Sequence, residues 1–409
     1  MAEDKSLSET SRDAGLDNRA EKNIDEVIEP NQSTNEWKAS RGEWLIFLCL
    51  AIISLIVSLD SSILGPVLPA IARSLHGNAN ETFWAGTSYL VTCAIFQPFI
   101  VSLSDAFGRR QLLFSSLLLF TIGTILCCVA QNFRTLLAGR SVQGIGGGGA
   151  LSLVLVIMTD IVPLRQRPKY YSLIQLAWMF SHLYYLPMYL QSVQAYGPTL
   201  SGVGLVPIIG GLIPTSIIVG GLMTRLGSYR WAIWTGWATI IVSTALLIIL
   251  SHTTPTYGWI LLFLTIGPSH GLVLTSLNFA LQALASERDG AYAAAMYTFM
   301  RTFGMCLGVA IGGTVFQNRL LVHLVAKGLD EHVAKEAEAF ILVLNSMPDS
   351  AELSSYRVAY AEAFRNLFEV LLGVAVLAGV ASAFIKHASM DRALDSEHVL
   401  NEQEEKSEA

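Results

Sequence analysis

Ten stretches of this 409-residue chain are long and apolar, and none of them carries more than three charged side chains. That feature limits what the chain can fold into more than any other. The stretches are 44–70, 83–104, 111–131, 135–162, 169–192, 199–224, 229–251, 256–284, 289–317 and 363–386. Crossing the ~30 Å hydrocarbon layer of a bilayer takes about 20 apolar residues at ~1.5 Å rise each. Backbone groups in lipid must be satisfied inside their own segment, so each stretch is expected to be a helix. The composition agrees, with 52% hydrophobic and 14% charged residues against about 25% charged in an ordinary soluble domain. Mean hydropathy is +0.49. The fold class implied is all-α, integral to a membrane, with about ten transmembrane helices.

The net charge of −6 conceals a strong partition. Residues 1–43 carry 6 basic and 11 acidic groups, and residues 388–409 carry 2 and 7. The remaining 18 basic and 14 acidic groups leave the body slightly positive. Two acidic polar tails, expected to be disordered and cytoplasmic, therefore flank a membrane body, and no nucleic-acid partner is implied. No basic-then-apolar leader opens the sequence, so no signal peptide is expected.

With the N-terminus cytoplasmic, the short inner loops hold Arg109, Arg110, Arg165, Arg167, Lys169, Arg225, Arg230 and Arg288. The short outer loops hold Arg73 and Arg134, and cations favour the inner side. This places both ends of a multi-pass chain in the cytoplasm, in the plasma membrane or alternatively the vacuolar one. The long outer loop, 318–362, contains Asp330–Val343 and Ser350–Phe364 with helical apolar spacing, expected as short interfacial helices. Asn80-Glu81-Thr82 is an outward glycosylation sequon, whereas Asn31-Gln32-Ser33 falls on the cytoplasmic side.

Gly144 through Gly149 formally satisfies a dinucleotide-binding pattern, but that pattern needs a preceding strand. Inside an apolar helix, Gly144 and Gly148 instead allow close helix approach, as do Gly304, Gly308 and Gly312 at four-residue spacing. Cys49, Cys93, Cys127, Cys128 and Cys306 are odd in number and lie in apolar runs, so packing is expected of them, not a disulfide framework or a metal site. No cofactor is implied, and no nucleophile–base constellation points to an enzyme.

A charge near the bilayer centre costs about 2.5–3.5 kcal/mol on insertion scales, so such residues face a cavity or a partner. The candidates are Asp60, Arg140, His182, His270, Arg301 and Glu369. Asp60 and Arg140 fall at similar depth, where pairing would tune the protonation of Asp60.

Leu103-Ser104-Asp105-Ala106-Phe107-Gly108-Arg109-Arg110 resembles the loop between helices two and three of the major facilitator superfamily. Asp105, Gly108, Arg109 and Arg110 match its pattern, while Val101 and Ala106 depart from it. Leu59-Asp60-Ser61-Ser62-Ile63 with Leu68-Pro69-Ala70-Ile71 is similar to the first-helix motif of fungal 14-span drug:proton antiporters. Arg140-Ser141-Val142-Gln143-Gly144-Ile145-Gly146 resembles their fourth-helix motif, whose Arg is linked to proton handling. Trp84 through Leu90 resembles the usual opening of their second helix, and the stretch from Ala294 to Leu394 resembles fungal toxin-efflux members.

The resemblance also defines a departure. Lys169–Trp178 reads like the start of that family's fifth helix and Tyr184–Gln191 like the end of its ninth. An internal deletion near residues 178–184 is therefore expected, with four helices in an N-terminal bundle (44–168) and six in a C-terminal bundle (169–387). The resemblance implies a proton-coupled exporter of small amphipathic organic compounds, such as a drug, toxin or secondary metabolite. Asp60, Arg140, Gln143, Arg301 and His182 would lie on the proton and substrate pathway, and Asp105, Gly108, Arg109 and Arg110 in a gating loop. Trp178, Phe180, Tyr184 and Tyr185 would line the cavity or, alternatively, pack in the core. Partners would be the bilayer, the substrate and protons. An uptake carrier and a non-transporting relic, mis-spliced form or partner-binding protein remain open.

Overall fold

The computed structural model describes residues 40–75, 77, 79–164, 166–168, 185–286, 289–385 and 390, and among these no strand occurs. Four long helices come first: α1 (Arg41–Ser74), α2 (Ala79–Phe107), α3 (Arg109–Cys128) and α4 (Phe133–Ile161). The break between α2 and α3 falls at Gly108, whose φ of 88° lies where a side chain would be strained. Asn132 starts α4 by accepting from the Thr135 backbone N–H at 2.9 Å, which satisfies one of the orphan donors of the first turn.

Next come α5 (Tyr185–Ser192), α6 (Pro198–Val203), α7 (Val206–Leu226), α8 (Arg230–Leu247), α9 (Thr256–Leu284) and α10 (Gly290–Ala326). A 3-10 turn (Glu331–Glu336) and α11 (Ala337–Leu344) then lead into α12 (Ala351–Ser382). Eight helices among the described residues are long and apolar enough to cross a membrane. Of the other two expected spans, 229–251 is helical as the 18-residue α8. The span 169–192 is described only over α5, and the expected deletion point near 178–184 lies outside the described residues.

Helix α4 is buried along most of its length, with α2 and α3 packed closely on it and α1 beside them. The second group packs α7 and α8 on α9, and α12 on α8 and α10. Its core gathers Tyr189, Phe263, Phe316, Tyr360 and Phe364, with the Phe316 and Phe364 rings 4.6 Å apart. Helix α10 joins the groups, since it packs on α2 and α4 as well as on α9 and α12. Exposed Phe99, Leu118, Ile249, Leu261 and Leu377 give the outside an apolar surface suited to lipid.

The long connection differs from expectation in two ways. Residues 350–364 are no separate interfacial helix, because α12 runs without a break from Ala351 into its span. Ser350 caps it by accepting from the Leu353 N–H at 3.1 Å. The segment 331–344 is helical, but Val333, Ala334, Ala337, Ile341 and Leu344 pack into the core of the second group. The Tyr360 hydroxyl donates to the Ala337 carbonyl at 2.8 Å, and α11 also lies against α1. Protein, not lipid, therefore covers its apolar face. The end of the molecule holding this segment is called the cap end below, and the end holding Gly108 the turn end.

Candidate functional site

Small residues on α4 set the site. A Cβ on Gly144 would stand 2.4 Å from the Tyr89 carbonyl oxygen, and one on Gly148 2.5 Å from that of Cys93. Without side chains there, α4 approaches α2 at backbone distance. Gly146 does the same toward Phe120 of α3.

On this frame Arg140 points to α1, and its Nη1 donates to Asp60 Oδ2 at 2.8 Å and to Gln143 Oε1 at 2.6 Å. The Gln143 amide in turn donates to Asp60 Oδ1 at 2.7 Å and to Thr124 Oγ1 at 2.9 Å. Both carboxylate oxygens of Asp60 thus accept, and the guanidinium lies 4.5 Å above the Tyr89 ring. Arg140 is buried, whereas the Asp60 side chain retains 24% exposure. The arrangement sets a carboxylate against a fixed guanidinium with charge-assisted hydrogen bonds and leaves part of it open.

Beside this pair lies a cavity of about 520 Å³. The first group contributes Ser61, Leu64, Tyr89 and Arg140 to its wall. The second contributes mainly apolar side chains of α8, α9, α10 and α12, with His270, Thr244 and Trp237 among them. Tyr185 also lines it, donating to the Val309 carbonyl at 2.5 Å. Trp178, Phe180, His182 and Tyr184 fall outside the described residues.

At the turn end, Arg109 pairs with Asp105 and with Asp160, the latter at 3.1 Å, and donates to Ser104 Oγ at 2.6 Å. Tyr292 of α10 donates to Asp105, which ties this turn to the second group. Arg110 is exposed, 5.8 Å from the Phe114 ring. Nearby, buried Arg167 donates to the carbonyls of Val162 at 2.7 Å and Thr159 at 2.8 Å, and to Gln282 Oε1 at 2.9 Å. It closes the end of α4 and reaches α9 in a single side chain. Burial lowers its ionisation to about 10, and Asp160 opposes that shift. Closer to mid-height, Gln97 donates to Thr302 Oγ1 at 3.1 Å.

Other candidates are placed differently. Arg301 lies 5.7 Å from the Tyr297 ring and is not part of the cavity wall. Glu369 is exposed beside Arg365 and Asn366. Among the described residues nothing lies within 4 Å of where a Cβ would sit on Gly304 or Gly308. No described residue packs against these two positions, and Gly308 also lines the cavity. Gly312 does meet a neighbour, since its Cβ would stand 2.7 Å from the Tyr185 ring. Asn80 sits in the first turn of α2, with Thr82 of its sequon buried.

Residues 50–181 match the Major Facilitator Superfamily. A transporter of that superfamily from a Phoma species is 28% identical, over 87% of this chain and 84% of its own. The "MFS efflux transporter aclA" of Aspergillus oryzae is 23% identical, over 91% and 94%. The fold matches a solved bacterial homolog of the human lysosomal transporter Spinster, in an inward-facing and occupied conformation. That match has a TM-score of 0.58 and 14% identity, over 85% of this chain and 98% of the other. The chain is thus similar to major facilitator superfamily transporters in sequence over most of its length, and to one of them in fold.

The chain is short beside the Phoma relative. Its alignment with the Phoma protein spans 501 positions, so at least 92 of them have no counterpart in these 409 residues. The sequence reading passed over several residues that the fold brings to the site, namely Thr124, Asp160, Gln282 and Tyr292. Asp160 carried a usable signal: it is an acidic residue at the same end of its span as Arg109.

Proposed function

We propose that this chain is a proton-coupled exporter of small amphipathic organic molecules, set in the plasma membrane with both ends cytoplasmic. Asp60 carries the proton, Arg140 and Gln143 tune it, and the apolar cavity takes the cargo. One observation carries the reading: Arg140 belongs to both parts, bonded to Asp60 and forming part of the cavity wall. Protonation of Asp60 removes the negative partner of Arg140 and frees its N–H groups toward the cavity. An unmatched cation in the wall of an apolar cavity draws water and disfavours a neutral apolar cargo, so protonation and cargo binding oppose each other, which is the requirement for exchange. Rocking of the two groups about this midplane site would complete the cycle. The turn-end contacts of Asp105 with Tyr292 and of Arg167 with Gln282 would have to part for opening on that side. The name of the Aspergillus relative, an efflux transporter, supports the outward direction.

The test is Asp60→Asn, which keeps the size of the side chain and removes the titrating group. Efflux driven by a pH gradient should stop while surface abundance is unchanged. Efflux that persists with the same pH dependence refutes the assignment.

A second reading is favoured by the 92 or more unmatched positions: a shortened form of a longer exporter that does not transport. The superfamily match ends at residue 181, inside the segment where the sequence places the deletion, and this supports the same reading.

A further inference from the structure

The wall that the second group gives the cavity carries a polar atom with no role in the pair described above. His270 lies on α9, two residues after Pro268. Its Nδ1 stands 3.0 Å from the Ile266 carbonyl oxygen one turn earlier. A carbonyl only accepts, so Nδ1 holds the ring proton and Nε2 keeps a lone pair. His270 lines the cavity, and among the described residues its Nε2 has no hydrogen-bond partner. Ile266, Val273, Leu274 and Ile240 line the same wall and offer no side-chain donor, and neither the Thr244 hydroxyl nor the Trp237 N–H of that wall bonds to Nε2. An acceptor in such a wall is satisfied only when a mobile molecule donates to it. Among the described lining residues the one charged side chain is Arg140, and its charge is already matched by Asp60. The cavity therefore offers a full charge to neither an anion nor a cation.

We propose that His270 recognises the cargo. Its Nε2 accepts from a hydroxyl or N–H of a neutral amphipathic molecule whose apolar body lies against α8, α9 and α12. Cargo bearing such a donor is selected over the same skeleton with the donor capped. This rests on the reading of the cavity as the cargo site.

The experiment measures equilibrium binding of para-phenylphenol and of its methyl ether to the full chain in lipid nanodiscs, with empty nanodiscs subtracted. The wild-type chain should bind the phenol about tenfold more tightly, because the ether leaves a buried acceptor unpaired. His270→Phe should bring the two within about twofold, since a flat ring of similar size lacks the acceptor. His270→Gln, whose amide oxygen restores an acceptor, should keep the preference. If His270→Phe does not fold, His270→Leu carries the same comparison. Equal binding of both probes by the wild type, or a preference that survives in His270→Phe, overturns the assignment and leaves the cavity reading standing. Saturable binding of neither probe overturns both.

Discussion

Two glycines one turn apart, Gly144 and Gly148, hold the Asp60–Arg140 pair in place by what they lack. A Cβ on Gly148 would lie 2.5 Å from a backbone oxygen of α2, an atom that cannot swing aside as a side chain end can. Gly148→Ala therefore has to push α2 and α4 apart, at a cost of about 1–3 kcal/mol for an overpacked seam. Gly304→Ala, with open space among the described residues, should change stability by no more than about 0.5 kcal/mol. Thermal unfolding of the two variants in the same detergent measures the difference, and equal midpoints would contradict the close seam. Sequence spacing alone gave both positions the same role. The two glycine rows read alike, and of their members only Gly144 and Gly148 meet the backbone of a facing helix among the described residues.

Among elements, the cap segment carries a buried carboxyl that makes its stability depend on pH. Glu338, at the start of α11, is 7% exposed, and its Oε2 has no hydrogen-bond partner among the described residues. Burial raises its carboxyl from 4.5 to about 7, with its own backbone N–H opposing the shift. The folded state thus holds a proton that the unfolded state releases. The resulting stability is fully present below about pH 4.5 and is lost as pH rises to about 7. The slope is at most about 1.4 kcal/mol per pH unit within that window. Thermal midpoints of the wild-type chain should fall across this range, whereas those of Glu338→Gln should fall less. Identical pH profiles would show that the carboxyl is not buried in this way. Helical spacing made the segment legible as a helix. Its burial was not legible, because amphipathic spacing is the same whether the partner is lipid or protein.

For the whole molecule the open quantity is the length of the first group. Four described helices, α1–α4, face a larger second group, and α10 packs across both. If the chain derives from a longer exporter, sequencing the transcript across the codons for residues 178–182 should recover a long in-frame segment. That segment should account for most of the 92 or more unmatched positions. A transcript that runs through these codons without interruption would mean the shortened chain is the product made. Export by the chain as it stands would then have to be compared with a version in which the further helices are restored.

The sequence by itself determined the class of the fold, because ten apolar stretches leave lipid-crossing helices as the way to satisfy the backbone. It also determined the Asp60–Arg140 partnership, since depth along a helix is fixed at ~1.5 Å per residue and two opposite charges in lipid seek each other. Tertiary structure decided everything that depends on which face meets which. It bonded Gln143, already marked by the sequence, to the carboxylate, added Thr124 behind it and set the Tyr89 ring beneath the guanidinium. It turned Arg167 from one loop cation among eight into a buried tie between α4 and α9. It also left His270 with an unused lone pair facing a cavity. Periodicity fixes the rise and angular position of a side chain on its own helix. The neighbour it meets depends on how separate helices pack, and contacts 80 or more residues apart carry no local trace in the chain.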